Sequence, residues 1–540
     1  MNKSTILLGL GGLLLTSPAP AQDALDPGPL HLAPADTGLY IQVDRAAQWW
    51  LDAKNDPIVQ QILPHTRLRR PPEAWLFIQA ALGMTGDQVM RTYFGNTVAL
   101  IVSEPGPHKP GVVVTEVQPS QAQLLRQRLE LREVGMVGRF LTYSSRDDKS
   151  RFAFDDRWMI FSGGEHAGFF HGVLKNANAE NGASLAGDPE FRQWVARLPQ
   201  QRRAMLFARR PQRQEVHALA VVPKAGTRDF SVHYVGRSPA SKDLVSKLGN
   251  AGPPWFPGLP IEDTIAALTL NVYDPRPADT AMLDRLLAPR DFKRDVLPLL
   301  SAPVVGFLGQ VRGDQLDPDP GFRVPVLGLA LKMKDPAVAS DLDLVMDRLV
   351  LLANVATAKW GTEPVALSIQ EHGGASYRVA DVGAVLAQRA RRPELKALKL
   401  AYGPVGDWYV LCTQDEFFRR CRAGAEGGRG FLDGAPIAAD DPGASSPVPI
   451  GALVVRPGLL AEHLGTWVAH WGRVRPQLLD AATTQPSTPE GKLAKGVSIL
   501  WPVAQQVQLL GLHVHQEGED GIAARLDVLR PAAPGGFEVP

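Results

Sequence analysis

The chain has 540 residues, 57 Lys and Arg against 56 Asp and Glu, 45% apolar residues and two Cys. So even a charge balance removes the bulk attraction that draws a protein to nucleic acid, and two Cys in this length exclude a disulfide-rich scaffold. At about 100 to 200 residues per domain, the length calls for two or more.

The N-terminus carries Lys3, an apolar stretch from Ile6 to Leu15 and the small residues Ala19-Pro20-Ala21. This is the layout of a secretory signal peptide, so residues 1–21 are expected to be removed and the mature chain to begin at Gln22, in the periplasm or outside the cell. The apolar stretch is shorter than the about 20 residues a span takes, and no later run is long and uncharged enough. No transmembrane segment is expected, and Gln22 and Asp23 stand where a lipid-anchored chain carries a cysteine.

Further along, "NTVALIVSEPGPHKP" reads as a strand entering a Pro/Gly turn. "GVVVTEVQPSQAQLLRQRLEL", from Gly111, reads as a strand, a turn and an amphipathic helix over Ser120–Leu131. "DRWMIFSGGEHAGFF" is an alternating apolar strand, a short polar connection and a helix opening on paired Phe. "HALAVVPKAGTRDFSVHYVGR" reads as a hairpin. Past the Pro- and Gly-dense residues 250–260, a linker or rigid crossover, the series runs again. "APVVGFLGQVRGDQLDPDPG" matches the first strand. "LGLALKMKDPAVASDLDLVMDRLV", from Leu327 with a helix over Ala337–Leu352, matches the second. "GDWYVLCTQDEFF" matches the third and "LLGLHVHQEGEDGIAARLDVLR" the hairpin. Trp158 then answers to Trp408, and Phe169, Phe170 and Val173 to Phe417, Phe418 and Cys421. Four matches in one order indicate duplication. The expected fold class is α+β: two tandem, similar halves, residues 22–258 and 259–540, each a mostly antiparallel sheet with packed helices. Ala423–Pro449 and Asp480–Lys492, rich in Gly, Pro, Ser, Thr and Asp, read as loops.

Candidate chemistry is read against this repeat. Ser162-Gly163-Gly164-Glu165-His166 falls where the second half has Cys412-Thr413-Gln414-Asp415-Glu416, a strand-to-helix connection in which such residues serve turns and caps; no G-x-S-x-G frames Ser162. Cys421 replaces Val173, a small buried hydrophobe. If its helix folds back on the strand, it meets Cys412, and an exported chain meets oxidising conditions for a disulfide. His513 and His515 alternate along a strand with Glu517, Glu519 and Asp520 nearby, a metal-like cluster, but a zinc site needs a third placed ligand, and solvated pairing beside Arg525 and Asp527 is the reading preferred. His463 and His470, with Trp467 and Trp471 between and beside them, fit an amphipathic helix as well as a ligand pair. Arg67, Arg69 and Arg70 read as a solvated loop, and "GAEGGRG", from Gly424, follows a helix, the wrong context for a dinucleotide loop. No H-E-x-x-H, G-x-x-x-x-G-K-[ST], zinc-type Cys spacing or calcium loop occurs. No cofactor is expected.

"PADTGLYIQVDRAAQWW", from Pro34, and "LAGDPEFRQWVARLPQQRRAMLFARRPQ", from Leu185, resemble secreted bacterial proteins of a family of unknown function with duplicated α+β halves. In that family the Pro-Ala-Asp-Thr opening leads into a strand, and the x-D-P-x-F helix leads into another. The resemblance carries no catalytic residue or ligand. The function expected is a non-catalytic binding or scaffold protein of the cell envelope, its partner an unknown ligand or envelope protein. The alternatives are a secreted hydrolase, with His166, His463, His470, His513, His515, Glu165 and Asp520 as the groups to examine, or a carrier of a lipid or hydrophobic ligand.

Overall fold

The structure, a computed structural model, describes residues 28–56, 60, 79–80, 82–106, 109–179, 183–223, 229–245, 256–271, 277–312, 323–390, 393–427, 431, 449–474, 507–517 and 521–530. The expected signal segment, the cluster Arg67, Arg69 and Arg70, the loop Asp480–Lys492, and Glu519 and Asp520 lie outside them. The chain divides into two compact units, residues 1–242 with 517–540, and residues 243–516.

In the first unit the strands are β1 (Leu39–Val43), β2 (Val98–Val102), β3 (Gly111–Glu116), β4 (Arg132–Val137), β5 (Phe140–Ser144), β6 (Ser150–Phe154), β7 (Trp158–Gly163), β8 (Ala204–Arg210), β9 (Glu215–Pro223) and β10 (Phe230–Arg237), joined by the last strand among the described residues, β20 (Gly521–Leu529). All pair antiparallel, in the order β4–β5–β6–β7–β3–β2–β1–β8–β9–β10–β20. Successive side chains of a strand point to opposite faces, and β7 supplies both cores. Trp158 and Ile160 pack with Phe170, Val173 and Leu174 on one face, Met159 and Phe161 with Val89, Tyr93 and Leu125 on the other. The second core lies under α2 (Gly86–Tyr93) and α3 (Pro119–Arg128), with α1 (Ala46–Asn55) tied to α2 by Lys54–Asp87 at 2.8 Å. The first lies under α4 (Ala167–Asn178) and α5 (Pro189–Val195). Burying a side chain such as Phe170 contributes about 1.5–3 kcal/mol.

In the second unit β11 (Thr264–Leu270), β12 (Leu300–Arg312), β13 (Arg323–Met333), β14 (Ala366–His372), β15 (Ala375–Asp381), β16 (Leu400–Val405), β17 (Trp408–Cys412), β18 (Pro449–Val455) and β19 (Leu509–Glu517) pair antiparallel in the order β14–β15–β16–β17–β13–β12–β11–β18–β19. Helices α6 (Pro277–Leu287) and α7 (Val338–Trp360) cover Tyr402 and Tyr409 on one face, followed by α8 (Gly383–Ala390), α9 (Asp415–Gly427) and α10 (Pro457–Val474). The fold is thus the expected α+β class, helices packed on antiparallel sheet.

Several bounds differ from the periodicity, each for a local reason. α3 stops at Arg128 because Glu130 takes a left-handed φ of 48°, whereas α7 runs past Leu352 to Gly361, which caps it at φ 65°. The segment expected to be loop from Ala423 begins inside α9, where a Cβ on Gly424 would stand 2.9 Å from the Gly258 carbonyl oxygen. Of the expected linker, Phe256 is buried and tilts against Trp408 at 5.5 Å.

Two strand glycines make room for rings. Gly328 opposes Phe307 in register and lies under its ring, Phe307 stacks on Phe417 at 5.5 Å, and a Cβ on Gly309 would stand 2.3 Å from Phe417. Gly309→Ala is expected to displace the fully buried Phe417 and to cost about 1–3 kcal/mol, read as a lower urea midpoint. An unchanged midpoint would show that the ring does not fill that space.

Candidate functional site

The first unit carries a cleft of about 610 Å³ at the ends of β1, β2 and β8, lined by Asp36, Ser103, Glu104, Lys109, Arg210 and Arg213 among others. Gly38 lets these ends close together. Its N–H donates to the Ser103 carbonyl at 2.9 Å, and a Cβ there would sit 2.4 Å from that oxygen. Arg209 holds the wall. Its guanidinium pairs with Asp188 at 3.0 Å and donates to the carbonyls of Thr37, at 3.1 Å, and Ala35, while Asp188 also caps α5 through the Phe191 N–H at 2.7 Å. The Pro-Ala-Asp-Thr and x-D-P-x-F segments therefore meet on one arginine, which is spent on structure. Lys109 pairs with Glu104 at 2.6 Å and Arg210 with Glu215 at 3.4 Å. Arg213, exposed on the β8–β9 turn, has no ion pair among the described residues.

A second polar cluster lies under α7. Asp343 and Asp347, one helical turn apart, meet Arg378 of β15, which pairs with both carboxylates, its Nε 3.3 Å from Asp347. Tyr409 donates to Asp343 and Tyr402 to Asp347, each at 2.8 Å. Burial pushes the Asp343 carboxyl up, against the hydrogen bond from Tyr409 and the charge of Arg378, which pull it down. Burial, reinforced by the facing carboxylates, pushes both tyrosines up, so they remain protonated donors. Every member is engaged within the cluster, which suits a structural tie better than proton transfer. The sequence reading missed these residues; two Asp four apart among the Leu and Val of that helix were the available signal.

The flagged residues are placed as follows. Ser162 ends β7 and donates to the Gly111 carbonyl at 2.7 Å. Gly164–His166 form a 3-10 turn into α4, and His166 Nε2 lies 3.5 Å from Glu165. His513 and His515 are half-buried on β19, opposite Ala452 and Pro449 of β18. Among the described residues no three of His, Cys, Asp and Glu gather as a metal site. His463 is buried in α10, where Trp467 Nε1 donates to its Nε2 at 3.1 Å, so that lone pair is taken; the side chain of His470 lies outside the described residues. Cys412 and Cys421 are free, buried thiols. Cys412 donates to the Gln414 carbonyl at 3.1 Å; burial pushes its thiol up to about 12, and pushes Cys421 well above its ordinary value.

No family model matches the chain, and no curated protein does. Among solved structures it is similar to crystal form III of TP0453, at 9% identity over 41% of this chain and 87% of that one with a TM-score of 0.24, and to crystal form I, at 10% over 40% and 80% with a TM-score of 0.22. Likeness at that level carries no argument about function.

Two outcomes are expected here. Tyr409→Phe should cost about 1–3 kcal/mol at neutral pH by removing a donor from a buried carboxylate. With its pKa above the unfolded value, Asp343 holds its proton more tightly in the folded state, so its burial penalty is present at neutral pH and relieved as pH falls through the folded pKa. The loss should therefore shrink near pH 4 in urea unfolding; equal losses at both pH values would remove Asp343 from the account. For the cysteines, iodoacetamide should spare the native protein and label both thiols on unfolding without reductant. Labelling that requires reductant would mean the pair forms a disulfide.

Proposed function

We propose that this is an exported, non-catalytic binding or scaffold protein of the cell envelope, and that the first-unit cleft takes an anionic ligand bearing a carboxylate or phosphate. The observation that carries this reading is the cleft itself. Four of its lining side chains are cationic against two carboxylates, and after Arg209, Lys109 and Arg210 are paired, Arg213 remains for a ligand. The hydrolase alternative is less well supported, since the hydroxyl of Ser162, the Nε2 of His463 and the carboxylates under α7 are each committed to structural bonds.

Duplication belongs to this reading too. Its support is the pairing order, in which β11–β19 repeat the positions of β1–β9, with Trp158 and Trp408 opening β7 and β17. Relatives in which these two tryptophans fail to correspond would end it.

Native mass spectrometry of protein purified from its own envelope tests the function. The expected mass is that of a chain starting at Gln22 with a small anion bound, and the anion should be lost in Arg213→Glu. An uncleaved chain would remove export. Stoichiometric zinc, lost together with a hydrolytic activity on substituting His513 or His515, would overturn the binding reading.

A further inference from the structure

Once its internal pairs are made, the first-unit cleft keeps one charge of each sign. Of the charged side chains that line it, Arg209 is held by Asp188, Lys109 by Glu104 and Arg210 by Glu215, which leaves Arg213 and Asp36. Neither side chain makes an ion pair or hydrogen bond among the described residues, with the other included. The half-buried Ser103 hydroxyl of the same lining is uncommitted in the same sense.

The backbone beneath both charges is held from several sides. Asp36 sits in a turn that Thr37 closes on the Pro34 carbonyl, its N–H at 3.0 Å and its hydroxyl at 2.6 Å, and the carbonyls on either side of Asp36, those of Ala35 and Thr37, both accept from Arg209. Arg213 ends a 3-10 turn closed by the Gln214 N–H on the Pro211 carbonyl at 3.1 Å, with Gln214 at a left-handed φ of 54°. Arg209 lies just ahead of that turn on β8, so one guanidinium sets the spacing of the backbone that carries the free acid and the free base. Opposite charges fixed in one cleft without pairing are complementary to a molecule that carries an ammonium and an acid group of its own.

We propose that the cleft takes a short peptide with both ends free, its ammonium on Asp36 and Ser103 and its carboxylate on Arg213; this rests on the anionic-ligand reading of the cleft and names the rest of that ligand. One uncommitted guanidinium matches the single charge of a carboxylate, which its planar fork accepts bidentate, whereas a phosphate monoester brings about −1.5 to −2. The cleft volume of about 610 Å³ falls in the roughly 300–1,000 Å³ range of sites for drug-sized molecules, room for a peptide rather than a bare ion. Pro105 and Pro211 give the lining apolar surface against which peptide side chains can lie.

Titration calorimetry of the full mature chain tests this with L-alanyl-L-alanine, its N-acetyl and C-terminal amide forms, phosphoethanolamine and inorganic phosphate. The dipeptide should give saturable heat, and losing either end charge should weaken it by about tenfold or more. Asp36→Asn should bring the dipeptide down to the level of its N-acetyl form and leave the N-acetyl form unchanged, while Arg213→Gln should bring it down to the level of the amide. Both variants should keep the thermal midpoint, since both side chains are exposed. An N-acetyl form that binds as well as the dipeptide, or an Asp36→Asn variant without effect, overturns the proposal and leaves the anionic reading standing where Arg213→Gln abolishes the binding. Tighter binding of phosphoethanolamine, or binding of phosphate without the dipeptide, overturns the peptide in favour of a phosphate ligand. No heat from any of these acids removes the proposal and the anionic reading together.

Discussion

The pairing of β7 with β3, and of β17 with β13, is the constraint on which each unit depends. A meander of four strands must begin at the far edge for its last member to return beside β3, so the chain has to cross the sheet before the meander starts. Four strand spacings of about 4.8 Å come to roughly 19 Å, and the crossing segment is a helix in both units, α3 and α7. A helix forced to cross there must lay one side on the strands beneath it, and the identity of that side settles what is left for solvent.

In α7 the strands beneath offer Arg378, Tyr402 and Tyr409, and these take Asp343 and Asp347. A partly buried ion pair is weak evidence for net stability, because desolvation offsets the attraction. Its effect on orientation is firmer. Rotating α7 to hide Leu351 and Val355 would leave two carboxylates and a guanidinium without partners, at several kcal/mol of lost hydrogen bonding. The tie and the buried side chains of Val338, Leu342, Val345 and Val350 together fix which side of α7 is turned inward. In α3 the corresponding interface is built with the opposite sign: Arg126 donates to the Tyr143 hydroxyl at 2.7 Å and lies over the rings of Tyr143 and Phe154.

Much of this architecture was legible because its signals are local. The unbroken apolar run Trp158-Met159-Ile160-Phe161 marks a strand buried on both faces, and the glycines after Ser162 mark the turn into α4. What escaped needed tertiary information. Nothing in Gly521–Leu529 says that it pairs with β10, nearly 300 residues earlier in the chain. The rotation of α7 was hidden because a helix this rich in Leu and Val has an apolar stripe in almost any direction. Only the partners on β15, β16 and β17 choose among them. The cleft escaped because it is assembled from residues near 36, 104 and 210, none of which carries a motif.

The segments behind the family resemblance illustrate how a recurrent motif can be purely architectural. Asp188 caps α5, and Arg209 joins it to the backbone of Ala35 and Thr37, so the three stretches specify one another's geometry. Arg209 is held from its Nε and both terminal nitrogens by these partners, which moves the burden of recognition to Arg213 on the exposed turn. Binding specificity can then change by substitution in the turn without disturbing the tie that shapes the cleft. On the duplication reading the second unit followed another course, extending its crossing helix to 23 residues where the first unit's has 10. The added length carries Leu351, Leu352, Val355 and Trp360, so the two units differ most in the element that the shared pairing order obliges both to contain.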